Sequence, residues 1–339
     1  MSVTWPVQQG VFDLGDLTVQ SGEVMHGAKL SWKAHGTLNA ARDNVVVYPC
    51  SYGAQHPDLE WLIAPDGILD PTRWFIVIPD MFSNGLSSSA ATDPSFPKVV
   101  TSWDNVHAQA TMLKALWGIE RVHAVYGFSM GAQQAYHWAA AFPEQVGHAI
   151  VVCGSARTAV HNKVFLSGLL RTLEAAPEHL GDGRFSAEPM AAKRAFGHIY
   201  AGWGLSQDFY RAGLHLSALG APDLETFLER DWAGRFQLRP AANLYAQAVT
   251  WTHGDISANP LYGGDLPKAL GAIKARVLLL PSETDLYFRV ADHHAEMAHL
   301  AHGRLSPIPS IWGHRAGNPA VIPADRDFIK TEVRAWIGA

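Results

Sequence analysis

The stretch VHAVYGFSMG, from Val122 to Gly131, decides how this chain is read. Its first part, Val122 to Tyr126, is a short β-branched and apolar run of the kind that forms a strand buried on both faces. Its second part, Gly127-Phe128-Ser129-Met130-Gly131, is Gly-x-Ser-x-Gly, and a helical apolar pattern, Met130 to Phe142, follows at once and stops at Pro143. A serine between two glycines at a strand-to-helix turn sits on a strained backbone that lifts its hydroxyl above the sheet, while the next amide points into the same space. Ser129 is therefore the candidate nucleophile, and the Met130 N–H one candidate oxyanion donor.

Outward from this turn, similar strand signals recur at Asn44–Tyr48, Trp74–Ile78, His148–Val152 and Arg276–Leu280, with helical patterns at Asn105–Trp117, Ala291–Ala301 and Ala324–Ile337. Strand and helix in alternation predict an α/β fold, a mostly parallel central sheet with helices on both faces. The alternating stretch Val11–Thr37 predicts antiparallel strands at one edge. Between Ala156 and Leu266 the strand signals vanish, and Lys163–Ala176, Met190–Tyr200, Leu224–Trp232 and Ala241–Thr250 read as helices. The expected organisation is a core of residues 1–155 and 267–339 with an inserted helical cap at 156–266.

A serine hydroxyl needs a base to take its proton and an acid to orient that base, which in a strand–serine–helix arrangement follow in the order serine, acid, histidine. The strand Arg276–Leu280 runs into Pro281-Ser282-Glu283-Thr284-Asp285-Leu286, a loop at the carboxyl end of a parallel strand, where sites of open sheets lie. Asp285 is the candidate acid, Glu283 its nearest rival, and Asp292 already belongs to the next helix. His314, in the glycine-flanked loop Ile311–Gly317 that follows the last short apolar run, Leu305–Ile308, is the candidate base. Among the 17 histidines, His293, His294, His299 and His302 cluster on one helix. Their spacing lacks a His-x-x-x-His pair, so they read as a solvated face and no metal site is expected. His107, His123, His137 and His148 read as packing residues. The second oxyanion donor is expected from the loop Pro49–Gly53, as the N–H of Ser51, or of Tyr52 with a slip of one residue; His56 follows closely.

Charge narrows the partners. The 339 residues carry 26 Lys+Arg against 31 Asp+Glu, a net charge of −5, with no basic block, so the surface that nucleic acid needs is missing. No apolar run approaches the ~20 residues of a membrane span. Met1–Gly10 has no basic start followed by an apolar stretch, which makes the cytoplasm the expected location. The two cysteines, Cys50 and Cys153, are too few for a disulfide framework and read as small buried residues. No nicotinamide, flavin or metal motif is visible, and the mechanism requires no cofactor.

In order and spacing these residues resemble the α/β-hydrolase superfamily and, within it, the homoserine O-acetyltransferase branch. The likeness runs through Gly36–Asn39, Phe75–Asp80, Phe96–Thr101, Gln109, Gly118–Glu120, Ser129–Gly131, Asp285-Leu286 and Gly313-His314. It implies an acyl-serine intermediate, a helical cap over the pocket and a homodimer formed through cap helices. Three departures bear on the reaction. Phe128 and Ala132 replace glycines usual around the branch's nucleophile. Trp103 stands where an arginine is usual. Ile199–Leu205 lacks the branch's Tyr-Arg-Ser signature, so that stretch offers no guanidinium to a carboxylate. The leading expectation is a serine hydrolase, esterase-like, cleaving a small acyl ester. The alternative is an acyl-CoA-dependent O-acyltransferase with an acceptor other than homoserine. A non-catalytic binding protein has no need to retain Ser129, Asp285 and His314 together. Tyr52, Phe128, Tyr200 and Trp203 are the candidate substrate contacts, although for each of the cap aromatics Tyr200, Trp203, Tyr210 and Trp251 helix packing is the favoured reading.

Overall fold

The apolar runs assemble into one eight-stranded sheet. A computed structural model describes residues 4–338, so Met1–Val3 of the N-terminal segment, and Ala339, lie outside it. The strands are β1 (Val7–Thr18), β2 (Val24–His35), β3 (Val45–Val47), β4 (Phe75–Pro79), β5 (Val122–Phe128) and β6 (Val146–Val152), then a separate hairpin, β7 (His179–Gly181) and β8 (Arg184–Phe185), then β9 (Arg276–Leu280) and β10 (Gly303–Leu305). Their order across the main sheet is β1-β2-β4-β3-β5-β6-β9-β10. β1 and β2 pair antiparallel with each other, and β2 pairs antiparallel with β4; every other pairing within this main sheet is parallel. The alternating N-terminal stretch thus does form the antiparallel edge.

Successive strand residues point to opposite faces, and in the central strands both faces are apolar. Val46, Ile76, Ile150 and Leu278 enter one core cluster, while Val47, Val77, Val151 and Leu279 enter the other. Helices α1 (Ser102–Trp117) and α2 (Met130–Ala141) cover one face. Helix α1 starts on a capping box in which the Thr101 hydroxyl accepts from the Asp104 N–H and the Asp104 carboxylate accepts from the Thr101 N–H. Helix α2 is buried from Met130 to Ala140, which its glycine and alanines permit by letting neighbours approach closely.

Between β6 and β9 lie α3 (Val160–Glu174), α4 (Met190–Gly204) and α5 (Ala241–Thr252), joined by shorter turns. Phe165, Phe196, Tyr200 and Trp251 from these helices share one core cluster with the sheet. The two ends of this segment are tied together: Arg157 and Asp255 form an isolated antiparallel bridge, with Arg157 Nε 2.6 Å from Asp255 Oδ2 and Nη2 donating to Ser257 Oγ at 2.7 Å and to Gly264 O at 2.9 Å. One expectation fails here: the segment is not wholly helical, because Gly181, Asp182 and Gly183 all adopt left-handed φ and turn β7 into β8. Leu224–Trp232 is helical as expected, but its winding changes from a short α-turn, Leu224–Phe227, to a π-helical turn, Leu228–Ala233, before the α-helix resumes at Gly234–Gln237. The last strands are followed by α6 (Val290–Met297) and α7 (Pro323–Ile337). Among the described residues no helix is long and apolar enough to cross a membrane.

Candidate active site

Ser129 stands between β5 and α2 at φ 57° and ψ −125°, a conformation that costs a non-glycine residue on the order of 1–3 kcal/mol. Its backbone is pinned, since the Ser129 N–H donates to Val152 O at 2.9 Å. The flanking glycines are required by space: a Cβ on Gly127 would lie 2.1 Å from Gly131 O, and one on Gly131 2.5 Å from Pro49 O. The first lets the helix fold back on the strand, and the second lets it meet the Pro49–Gly53 loop.

The structure brings the three separated residues together. His314 Nε2 lies 2.9 Å from Ser129 Oγ, and His314 Nδ1 lies 2.7 Å from Asp285 Oδ2. The other carboxylate oxygen, Oδ1, accepts from the Tyr287 N–H at 2.7 Å and the Phe288 N–H at 3.2 Å, which fixes the acid's plane. His314 sits on a 3₁₀ turn, Gly313–Gly317. This turn is joined to the acid's loop because Thr284 Oγ1 accepts from the Gly313 N–H and donates to Ser310 O. The imidazole packs against Phe128, Tyr287 and Phe288 at centroid distances of 4.7, 4.9 and 5.6 Å. All three polar residues are buried. The rival Glu283 is exposed, and Asp292 lies on α6. Such a chain can pass a proton from the hydroxyl to the imidazole while the carboxylate holds the tautomer.

Cys153 is buried behind the acid at φ 46°. Burial, and then the nearby Asp285 charge, push its thiol well up, so it stays protonated. Cys153, Asp285 and His314 make the one group of three potential metal ligands among the described residues, within 4.8 Å of one another, and two of the three are already bonded to each other.

Three backbone amides, those of Met130, Ser51 and Tyr52, make no hydrogen bond to protein groups among the described residues. The loop that carries two of them is held against the serine's turn by Ser51 Oγ, which donates to Phe128 O at 2.7 Å. Sequence reasoning missed what holds it from behind. Asp80, fully buried at the carboxyl end of β4, accepts from Cys50 Sγ (3.3 Å), the His56 N–H (2.9 Å), Asn84 Nδ2 (2.7 Å) and Ser31 Oγ (3.0 Å), and its Oδ2 lies 2.7 Å from His56 Nδ1.

The serine and histidine open into a cavity of about 160 Å³ walled by Tyr52, Phe128, Tyr200, Trp232 and Phe236. Trp203 does not line it. It stacks on Tyr287 (6.2 Å, 6°) and packs on Phe165, because on α4 it is Gly204, four residues from Tyr200, that shares the cavity face. Trp232 and Phe236 were not singled out in the sequence; they reach the cavity from the π-helical turn and the turn after it. Tyr210 and Trp251 pack helices, as the hydroxyl of the first on Ala201 O and the complete burial of the second indicate. Trp103 packs on His107, away from the cavity. Of the four histidines read as a solvated face, three are exposed, but His293 is fully buried with Nδ1 on Arg289 O. His107, His137 and His148 are at least half-buried on backbone carbonyls, as packing residues.

Residues 59–310 match the family described as alpha/beta hydrolase fold. The chain belongs to the α/β-hydrolase fold family. Within that family it is 33% identical to an ethyl acetate hydrolase of Pseudomonas veronii, over 90% of this chain and 88% of that one. It is 32% identical to a homoserine O-succinyltransferase of Methylibium petroleiphilum, over 80% and 78%. The structure of an acetylester hydrolase from Corynebacterium glutamicum superposes with a TM-score of 0.90 at 31% identity, covering 96% of both chains. This α/β hydrolase therefore has relatives on both sides of the hydrolysis and transfer divide.

Proposed function

We propose that this α/β hydrolase cleaves small acyl esters, acetyl esters foremost, through an acyl-serine intermediate. The observation that carries the reading is the hydrogen-bonded chain Ser129–His314–Asp285 at the floor of a small aromatic cavity. Ser129 Oγ attacks the ester carbonyl as its proton passes to His314 Nε2. The amides of Met130 and of Ser51, with Tyr52 beside it, meet the oxyanion, and His314 returns the proton to the leaving alcohol. Water then repeats the sequence, losing a proton to His314 and releasing the acid. A cavity of about 160 Å³ suits a short acyl group, and the esterase relatives support the same class. Segment 156–266 acts as the cap over this chemistry.

Ser129→Ala is expected to abolish both ester turnover and labelling by a fluorophosphonate; labelling and turnover that persist would overturn the assignment. Transfer to an alcohol would use the same acyl-enzyme, and the homoserine O-succinyltransferase relative supports it as the second reading. CoA release from acetyl-CoA that depends on an added alcohol would favour transfer. The proposal includes a cytoplasmic location, supported by two buried, unpaired thiols, and a homodimer through the cap. The exposed Val160 and Val164 on α3 support the dimer, which sedimentation tests.

A further inference from the structure

We infer that the cavity carries an anion subsite, built from Arg235 and the indole N–H of Trp232, that takes a carboxylate of the ester substrate. This inference rests on the hydrolase reading and deepens it by naming a substrate class.

The arginines around the site fall into two groups. Arg239, on the cavity wall, is fully engaged: Nε donates to Gly53 O at 2.8 Å and Nη2 to Asp58 Oδ2 at 2.7 Å. Arg230 is held by Asp231 and Leu219 O, and Arg194 by Glu225 and Glu229. Arg235 and Arg315 differ, because neither guanidinium has a hydrogen-bond or ion-pair partner among the described residues. Arg235 lines the cavity that also exposes Ser129 and His314, and it stands at the solvent rim. Arg315 directly follows His314 on its 3₁₀ turn and is partly buried. Burial, and then the neighbouring Arg235 charge, push the Arg315 guanidinium below its ordinary value. Asp231 opposes that shift from nearby, but its carboxylate is already taken by Arg230.

Trp232 supplies the independent observation. It lines the same cavity, and its indole nitrogen is buried with no acceptor. A guanidinium without a partner on the cavity wall, with the like charge of Arg315 nearby, and a buried N–H with nothing to donate to make a set of donors without an acceptor, which costs free energy until an anion arrives. A planar carboxylate matches guanidinium geometry and relieves both. Ser129, His314, Tyr200 and Arg235 all line this one cavity, so the rim and the reacting centre face one continuous space. Ile199–Leu205 itself offers no guanidinium, as its sequence implies, and the guanidinium of the proposed subsite comes instead from Arg235, on the turn after the π-helical turn.

The carboxylate can belong to the acyl half, as in a half-ester of a dicarboxylic acid, or to the alcohol half, as in an acetylated hydroxy acid. Two matched pairs separate these sources: monoethyl succinate against ethyl pentanoate, and acetoxyacetate against propyl acetate, each measured as kcat/KM at low and high ionic strength. The anionic member of at least one pair is expected to win by about tenfold at low ionic strength. That preference should shrink with salt and in Arg235→Gln, and recover in part in Arg235→Lys; the winning pair names the half. Turnover of these esters with no anionic preference, or a preference that Arg235→Gln leaves intact, overturns the subsite. Succinate binding, followed by tryptophan fluorescence, reads the subsite without turnover. Saturable quenching that Arg235→Gln abolishes, in a protein that cleaves none of the four esters, would sink the hydrolase reading and keep the subsite. No quenching together with no cleavage would sink both.

Discussion

Asp80 directly follows β4 and Asp285 lies in the loop after β9; they hold two different loops, and their roles separate under the same substitution. In Asp285→Asn the amide no longer selects the tautomer that leaves Nε2 free to accept the Ser129 proton, so kcat is expected to fall by on the order of 10⁴ while Ser129 stays in place. Asp80→Asn leaves the Ser129–His314–Asp285 chain intact but puts an N–H where carboxylate oxygens gather donors from Cys50, His56, Asn84 and Ser31. The Ser51 and Tyr52 amides then lose their support. We expect a fall of about 10- to 100-fold in kcat, with KM little changed, and an equal loss of affinity for a boronic acid that mimics the tetrahedral state. Unchanged boronate affinity would show that Asp80 has no part in placing these amides. The chain of three was legible in the sequence because its chemistry asks for one serine, one acid and one histidine in order. Asp80 was quoted within Phe75–Asp80 and passed over, because a backbone oxyanion donor calls for no particular side chain behind it.

At the scale of elements, the sheet was legible and the details of the insertion were not. Strands buried on both faces leave uninterrupted apolar runs, and Arg276–Leu280 matches β9 residue for residue. Between α4 and α5 the insertion runs through short α-helical and π-helical turns, in which no periodic face is long enough to fix helical phase. That is why Trp232 did not stand out as a cavity residue. The π-helical turn Leu228–Ala233 matters here, because the extra residue per turn changes which side chains face the cavity, and such turns recur at functional sites. Trp232→Ala removes the largest wall of the cavity that this turn supplies. The expected result with uncharged p-nitrophenyl esters is a shift of the best acyl chain from acetyl toward longer chains, with kcat/KM for acetate reduced. A variant that keeps the wild-type chain-length profile would remove Trp232 from the list of size determinants. The Arg157 tie between the two ends of the insertion is a second element-scale device, and limited proteolysis reads it: Arg157→Ala, which deletes the links to Asp255, Ser257 and Gly264, is expected to speed cleavage within residues 176–189.

For the whole molecule, the scarcity of charge, 17% of residues, goes with a sheet packed on both faces, and packing has drawn histidines into the interior. His107, His137 and His148 each place Nδ1 on a backbone carbonyl, so Nδ1 carries the proton and acidification must add a second one at Nε2. Burial is the leading cause that lowers all three below the ordinary 6.5. A histidine whose folded value is depressed binds fewer protons folded than unfolded, so its stability contribution is complete above 6.5 and drains away as pH falls from there through the lowered value. Glu296, Asp104 and Asp325 act the other way, because burial raises them and their protonation favours the folded state as pH falls. The total slope mixes both sets, and a single substitution separates them. His137→Gln keeps a donor for Gln133 O and removes the titration. The loss of Tm between about pH 7 and about pH 5 should be smaller than in the wild type by about 2 °C, even if the variant melts lower at neutral pH. An identical pH dependence in the two proteins would place the acid sensitivity elsewhere, with His107 and His148 the next to substitute.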